Sequence, residues 1–353
     1  MDYQGDSYRF WTLLAPHIKK NGEHAVEWIS DDQYYDDQHV RFAFLFDRVG
    51  DWNEAEKMWS EILNAREARL GKDHPDTLTV MDNLAATYMN QGKWKEAEGL
   101  QVNVMEARKE RLGAFNPSTL TAMGNLAVTY MNQGRWKEAE DLNMNVMEAR
   151  KEKLGALHPD TLTAMGNLAA TYMNQGKWKE AESLEVTVME AMKERLGALH
   201  PVTLTAMGNL AATYMKQGKW KEAESLEVTV MKAKKEKLGA LHPNTLTAMG
   251  NLAATYMKQG KWKEAESLQV NVMEARKEKL GAFHPDTLAA MANLAFIYDK
   301  GQNKVKEAKE LLDASVKGMQ QVLGLGHPTT IYYMQVLNMM SQRESSTDSQ
   351  RFV

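Results

Sequence analysis

The amino-acid sequence predicts an all-α protein built as an array of helix pairs, and three patterns predict it. Tryptophan recurs every 42 residues from Trp52 to Trp262, and proline recurs with the same period from Pro75 to Pro285. The residues between them are rich in Ala, Glu, Lys, Met and Leu, which favour helix over strand. Apolar residues in each period lie three or four apart, which is the spacing of one helix face. A copied unit of this length indicates an α-solenoid, in which each repeat packs on its neighbours.

The first helix of a repeat is clearest in the unit that begins at Pro159. Proline suits the first helical position, because the N–H that it lacks has no partner there in any helix. The next residue, Asp160, places an acid at the positive end of the helix dipole. Apolar residues follow at helical spacing from Leu162 to Tyr172, and Gly176 marks a turn. These signals predict a helix over about 159–174.

The second helix of the same unit begins near Trp178. Ala181, Val188 and other apolar residues continue at helical spacing as far as Leu196. Gly197 follows, and glycine readily takes the left-handed conformation that ends many helices. We expect the tryptophans at the start of the second helices to belong to the core rather than to form a ligand platform.

The period also divides the chain into segments. We expect a helical N-cap, a degenerate first repeat, six 42-residue repeats, a C-terminal capping helix that covers the last apolar face, and a polar, disordered tail. These segments span residues 1–32, 33–74, 75–327, 328–341 and 342–353.

The small residues of the unit resemble those of a known family. Leu168-Ala169, Tyr172, Gly176 and Ala181 match the tetratricopeptide core of Leu, small residue, Tyr, Gly and Ala. With LGxxHPxT between units and QGKWKEAE at the turn, residues 33–327 resemble tetratricopeptide repeats of the kinesin-light-chain type. They look most like those at the C-terminal end of fungal nucleotide-binding immune-type receptors. The resemblance implies about seven helix pairs in a right-handed superhelix. Because the chain lacks a GxxxxGK[ST] phosphate loop, it is either a free-standing array or the sensor end of a longer protein.

The resemblance also implies that the first helices line a concave groove. One position of that face is an asparagine row, and an asparagine offers both donors and acceptors to an extended peptide backbone. In the alternative, each asparagine bonds within the array. Substitutions at other groove positions, Lys216, Lys258 and Phe296, complete the predicted site. The row consists of Asn83, Asn125, Asn167, Asn209, Asn251 and Asn293.

Glycine precedes four of these asparagines, although it costs about 1 kcal/mol relative to alanine inside a helix. Either a ligand approaches the backbone there, or adjacent first helices pack tightly against it. The four are Gly124, Gly166, Gly208 and Gly250.

The degenerate first repeat offers a chemically distinct candidate site. Arg41 takes the place of the row asparagine, with Phe44 and Arg48 at neighbouring inward positions and Asp37 close by in sequence. An arginine beside aromatic side chains can hold a carboxylate or stack on a planar ligand. The alternative is that the aromatic residues only close the end of the array.

Composition limits the function further. The net charge of −4 argues against a general nucleic-acid binder. The absence of cysteine excludes thiol chemistry and disulfides. No membrane span or secretory signal is visible in the sequence. We therefore expect a soluble, cytoplasmic protein. The junction histidines, His158 among them, are expected to begin helices rather than to bind metal, and no metal ion or cofactor is predicted.

These observations favour a non-enzymatic scaffold that binds a protein or peptide. The alternative is an enzyme or small-molecule binder with one pocket at the N-terminal end, where Asp37, His39, Arg41 and Asp47 offer acid–base groups. Self-association is a further alternative, because two segments of the chain carry opposite excess charge and can attract each other. Residues 1–74 carry 9 bases and 15 acids, whereas residues 201–284 carry 13 bases and 8 acids.

Overall fold

The structure is a computed structural model that describes residues 33–301 and 304–351, with side chains described for 39–301 and 304–342. The described residues form fifteen helices and no strand. The helices are α1 (Gln33–Val49), α2 (Trp52–Leu70), α3 (Pro75–Asn90), α4 (Trp94–Leu112), α5 (Pro117–Asn132), α6 (Trp136–Leu154), α7 (Pro159–Asn174), α8 (Trp178–Leu196), α9 (Pro201–Gln217), α10 (Trp220–Leu238), α11 (Pro243–Lys258), α12 (Trp262–Leu280), α13 (Pro285–Gly301), α14 (Val305–Val322) and α15 (Pro328–Arg351).

The chain divides into two compact units, Met1–Leu184 and Glu185–Val353, and the division falls within α8. In the described part of the first unit, consecutive helices from α1 through α7 contact each other. In the second unit, consecutive helices from α9 through α15 do the same. Seven helix pairs and a final helix are thus present among the described residues, which confirms the predicted α-solenoid.

The helix ends follow from a few residues of the repeat. Pro159 is the first residue of α7, and His158 caps the helix by accepting the backbone N–H of Asp160 at Nδ1, 3.2 Å away. This confirms the predicted helix-starting role of the junction histidines. Gly155 ends α6 with a φ of 93°, and Gly176 turns the chain after α7 with a φ of 75°. Both values lie where residues with a side chain are strained.

The core of each repeat lies between its two helices and the first helix of the next repeat. In α7, the side chains of Leu162, Met165 and Leu168 are buried, whereas Thr163 and Asn167 on the opposite face are exposed. The apolar stripe predicted from the spacing is therefore the buried one, and the polar positions of the first helix form its outer face.

Helix α15 extends to Arg351, and the predicted segment bounds, including a tail at 342–353, stay predictions. The repeated tryptophans at the start of the second helices are not fully buried: five of the six, from Trp52 to Trp220, are 39–43% exposed, because they occupy the first turn at the edge of each pair. The predicted N-cap, residues 1–32, lies outside the described residues.

Candidate functional site

The asparagine row lies on the outer face of the first helices, which we call the first-helix face. Asn83 is half-buried, and the other five asparagines are exposed. In the first unit the face is carried by α3, α5 and α7, and α5 contacts α7 directly. In the second unit it is carried by α9, α11 and α13. Amide side chains are thus presented to solvent at regular intervals within each unit.

The four glycines beside the row have open space in front of them. A Cβ atom built on Gly124, Gly166, Gly208 or Gly250 meets no heavy atom within 4 Å outside its own helix backbone. Tight packing between neighbouring first helices therefore does not explain them, and that alternative is wrong. The backbone at each glycine is approachable from the first-helix face.

The other predicted groove residues also lie on this face. Lys216 and Lys258 are exposed near the ends of α9 and α11, and Phe296 on α13 is 44% exposed. At the position of these lysines, Asn174 donates a hydrogen bond to its own helix, at the carbonyl oxygen of Ala170 3.1 Å away. The lysines therefore add positive charge where earlier repeats have a self-bonded amide.

One departure on this face was not anticipated from the sequence. Asp82 stands where the next four repeats have glycine and the last has Ala292, and its carboxylate lies 2.7 Å from the guanidinium of Arg108. Burial raises the pKa of Asp82, although the charge of Arg108 and hydrogen bonds from Arg108 and Asn125 act in the opposite direction. An ion pair thus fills the space that is left open in the following repeats.

The N-terminal candidate site is only partly described. Arg41 and Arg48 are exposed on α1, and Phe44 is half-exposed and meets the ring of Trp59 edge-on at 4.9 Å. The side chain of Asp37 lies outside the described ones. Phe44 thus belongs to the aromatic packing of the first repeat, while the two arginines face solvent.

Asp47 does not belong to an exposed site. It accepts hydrogen bonds from the indole of Trp59 and the hydroxyl of Thr87, both at 2.8 Å. Burial raises its pKa despite these bonds. His39, the other acid–base candidate, is only 5% exposed. Of the four groups proposed for acid–base chemistry, Arg41 is the one whose described side chain is exposed.

A buried polar row crosses the second helices, and the sequence analysis missed it. In the first unit, the Oε1 of Gln101 accepts from Thr129 at 2.5 Å, and the Nδ2 of Asn143 donates to Thr171 at 3.0 Å. The signal was available, because the position lies four residues after a core alanine and three before a core valine. The row consists of Gln101, Asn143, Glu185, Glu227 and Gln269.

Consecutive repeats are joined by a second polar motif, which we call the turn clasp. Gln175 donates to the carbonyl oxygen of Trp136 at 2.9 Å and to the carboxylate of Glu140 at 2.9 Å. Lys177 lies 2.8 Å from the same carboxylate and above the ring of Tyr172. Equivalent clasps link Gln91 and Lys93 to Glu56, Gln133 and Arg135 to Glu98, and Gln259 and Lys261 to Glu224.

Two cavities of the second unit open beside the first-helix face. One, of about 380 Å³, lies where α13, α14 and α15 meet and is lined by Asn293, Phe296, Tyr332 and Met340 among others. The other, of about 190 Å³, lies between α9 and α11 and is lined by Asn209 and Asn251. Three members of the predicted site, Asn209, Asn251 and Asn293, therefore border concave surfaces.

No group of three or more His, Cys, Asp or Glu side chains among the described residues is placed to hold a metal ion. Among the described helices, none has the length and apolar character needed to cross a membrane.

Solved structures with this architecture include a putative kinesin light chain and BtubC. A putative kinesin light chain with nearly identical TPR-like repeats from Podospora anserina is 29% identical, with a TM-score of 0.53 over 58% of this chain and 98% of its own. BtubC (BKLC) from P. vanneervenii is 18% identical, with a TM-score of 0.56 over 65% of this chain and 92% of its own.

A third similar structure is a quorum sensor. NprR from B. thuringiensis is 15% identical, with a TM-score of 0.53 over 96% of this chain and 98% of its own. NprR is also known in complex with its cognate peptide NprX, at a TM-score of 0.51. At these identities the likeness to NprR and BtubC is one of fold. No curated protein matches the sequence.

A family model agrees with the repeat geometry along most of the chain. The tetratricopeptide repeat model matches residues 39–110, 81–142, 118–194, 160–236, 202–269 and 244–321. These matches overlap from the first described helix pair to the last. The chain belongs to the tetratricopeptide repeat family.

Proposed function

We propose that this protein is a non-enzymatic scaffold that binds a peptide or an extended protein segment along its first-helix face. The observation that carries the proposal is the empty space before Gly124, Gly166, Gly208 and Gly250. Glycine inside a helix costs about 1 kcal/mol relative to alanine, and here no neighbouring side chain requires it. A ligand backbone that lies close to the helix would explain these glycines, because a side chain there would keep it away.

The exposed asparagines support the same proposal. A peptide backbone presents alternating N–H and C=O groups, and an asparagine side chain can bond either kind. Because the row repeats without change of residue type, it suits main-chain recognition better than recognition of one side chain. The complex of NprR with its cognate peptide NprX supplies an example of peptide binding on a similar fold.

A peptide-library selection on the intact protein, followed by titration of the selected peptide, tests the proposal. Asn209→Ala combined with Asn251→Ala removes two backbone partners that border one cavity. At about 0.5–1.5 kcal/mol for each lost hydrogen bond, the affinity falls roughly five- to a hundred-fold. Unchanged affinity with a lower melting temperature would assign the asparagines to the array itself.

The proposal includes a second binding position, in the first repeat, and a prediction about the family of the repeats. We place a carboxylate-binding position at Arg41 and Arg48, since both guanidiniums are exposed beside the half-exposed ring of Phe44. We also retain the resemblance to the C-terminal repeats of fungal nucleotide-binding immune-type receptors as a prediction. Sequencing of the full transcript tests it, because a sensor end of such a receptor is preceded by a phosphate loop and a free-standing array is not.

A further inference from the structure

The cavity between α9 and α11 is lined by both amide and charged side chains. Its volume of about 190 Å³ is several times the roughly 30 Å³ that one water molecule occupies in the liquid. Two row asparagines line it, and so do two charged residues of α10. The lining includes Thr205, Gly208, Asn209, Glu227, Lys234 and Asn251.

Glu227 is the residue that makes the cavity distinctive. Its side chain belongs to the buried polar row, and the residue is 8% exposed. Among the described residues, nothing forms a hydrogen bond with its Oε2 atom, which is itself buried. Burial raises the pKa of Glu227, and a hydrogen bond from Thr255 acts against this rise. A buried acceptor without a donor costs free energy, which a donor entering the cavity can recover.

Other repeats show how an amide satisfies the same position from within. Gln269, the equivalent of Glu227 one repeat later, donates from Nε2 to the carbonyl oxygen of Ala290 at 3.0 Å. An ionised glutamate has no proton to donate to the corresponding carbonyl of Ala248. Replacing the repeat's amide with a carboxylate therefore removes an internal hydrogen bond and leaves a buried, unpaired acceptor on a residue that lines the cavity.

We propose that this cavity is a side-chain subsite for a carboxamide, the glutamine or asparagine of a peptide bound along the first-helix face. The carboxamide N–H₂ group donates to the carboxylate of Glu227, and its oxygen accepts from the ammonium of Lys234 or the amide of Asn251. A basic side chain brings a second cation beside Lys234, and an acidic one brings a second anion beside Glu227. The carboxamide is the group that suits both.

The subsite rests on the proposed function, and short probes separate the two. The probes are acetyl-glutamine, acetyl-glutamate and acetyl-lysine methylamides, titrated against the full chain while the methyl resonances of Val230, a cavity residue, are observed by NMR. We expect saturable shifts with the glutamine probe and weaker binding of the other two. Equal or tighter binding of the lysine or glutamate probe, or no binding of any probe, overturns the subsite.

Glu227→Gln is the informative variant. Because the new amide can donate to Ala248 as Gln269 does to Ala290, we expect a melting temperature equal to or above that of the parent. Affinity for the glutamine probe should fall about tenfold or more, the range for a hydrogen bond to a charged group. Glu236→Gln removes the same charge from an exposed position of α10 and should change neither quantity.

The outcomes also distinguish the two proposals. If selected peptides bind in an asparagine-dependent way but the glutamine probe does not, the scaffold stands and the subsite is wrong. If the glutamine probe binds in a Glu227-dependent way but the selection yields no peptide, the cavity is an amide site and the scaffold proposal is wrong.

Discussion

The ammonium of Lys177 lies 2.8 Å from the Oε2 of Glu140, a carboxylate whose side chain is 7% exposed, and this contact joins two consecutive repeats. Gln175 donates to the same carboxylate. Burial alone would raise the pKa of Glu140, but the hydrogen bonds from Lys177 and Gln175 and the charge of Lys177 hold it below its usual value. The turn clasp therefore stabilises the ionised form of Glu140.

Glu140→Gln should lower the free energy of unfolding by about 1 kcal/mol near neutral pH, since Lys177 is partly exposed and its ion pair is screened. A lowered carboxyl pKa contributes stability above the unfolded value near 4.5, and this contribution is lost as the pH falls through the folded value. Urea unfolding of parent and variant should thus differ near neutrality and converge in acid. Glu152→Gln, at an exposed position of the same helix, is the control; a similar loss there would contradict the clasp.

The buried polar row makes a second prediction. Asn143 and Thr171 bond each other at 3.0 Å and are 2% and 0% exposed. Thr171→Val leaves the amide of Asn143 without this partner and should cost about 1–3 kcal/mol. Asn143→Leu combined with Thr171→Val should cost less than the sum of the single changes. Additive costs in denaturant titrations would show that the pair is not coupled.

The last helix should protect the end of the array. Tyr333, Val336 and Met340 of α15 pack against a cluster that includes Ala295 and Leu312. A chain that ends at 327 exposes this cluster and should melt at a lower temperature and aggregate. A chain that ends at 341 keeps the packed residues and should melt like the full chain. A monodisperse, equally stable shorter chain would show that α15 is not a lid.

Arg41→Asn tests the distinct position in the first repeat, because it restores the residue type of the row. Binding of a selected peptide with a free C-terminal carboxylate should weaken by about 1.5–3 kcal/mol, and binding of its amidated form should change little. Stability should barely change, because Arg41 is exposed. An equal loss of affinity for both peptides would show that Arg41 does not bind the carboxylate.

The sequence predicted the helices well because the period itself marks their ends. Pro159 and Trp178 begin α7 and α8 as expected, since proline and the turn glycine act locally. The asparagine row was predicted for the same reason: residues one period apart share a face. These features require no knowledge of how side chains turn within the core.

Other features depend on three-dimensional packing and could not be predicted in this way. Asp47 was predicted to offer an acid–base group to a pocket at the N-terminal end, but Trp59 and Thr87 hold it inside with hydrogen bonds from two other helices. The open space at Gly208 becomes visible only when the neighbouring helix is in place. The same holds for Glu227, whose missing internal donor is evident only beside the bonded Gln269.

The central claim is that a ligand backbone approaches the glycines of the first-helix face, and Gly208→Ala combined with Gly250→Ala tests it most directly. Because a Cβ atom at either position meets no neighbouring atom within 4 Å, the pair should stabilise the free protein by about 2 kcal/mol in total. Gly99→Ala, at an exposed position of the second helix α4, should give about half that gain. The measurement is the affinity of a selected peptide by calorimetric titration. The account predicts that the affinity for the peptide falls about tenfold or more in the double variant and does not change in Gly99→Ala. A double variant that is more stable but binds the peptide with unchanged affinity would contradict it.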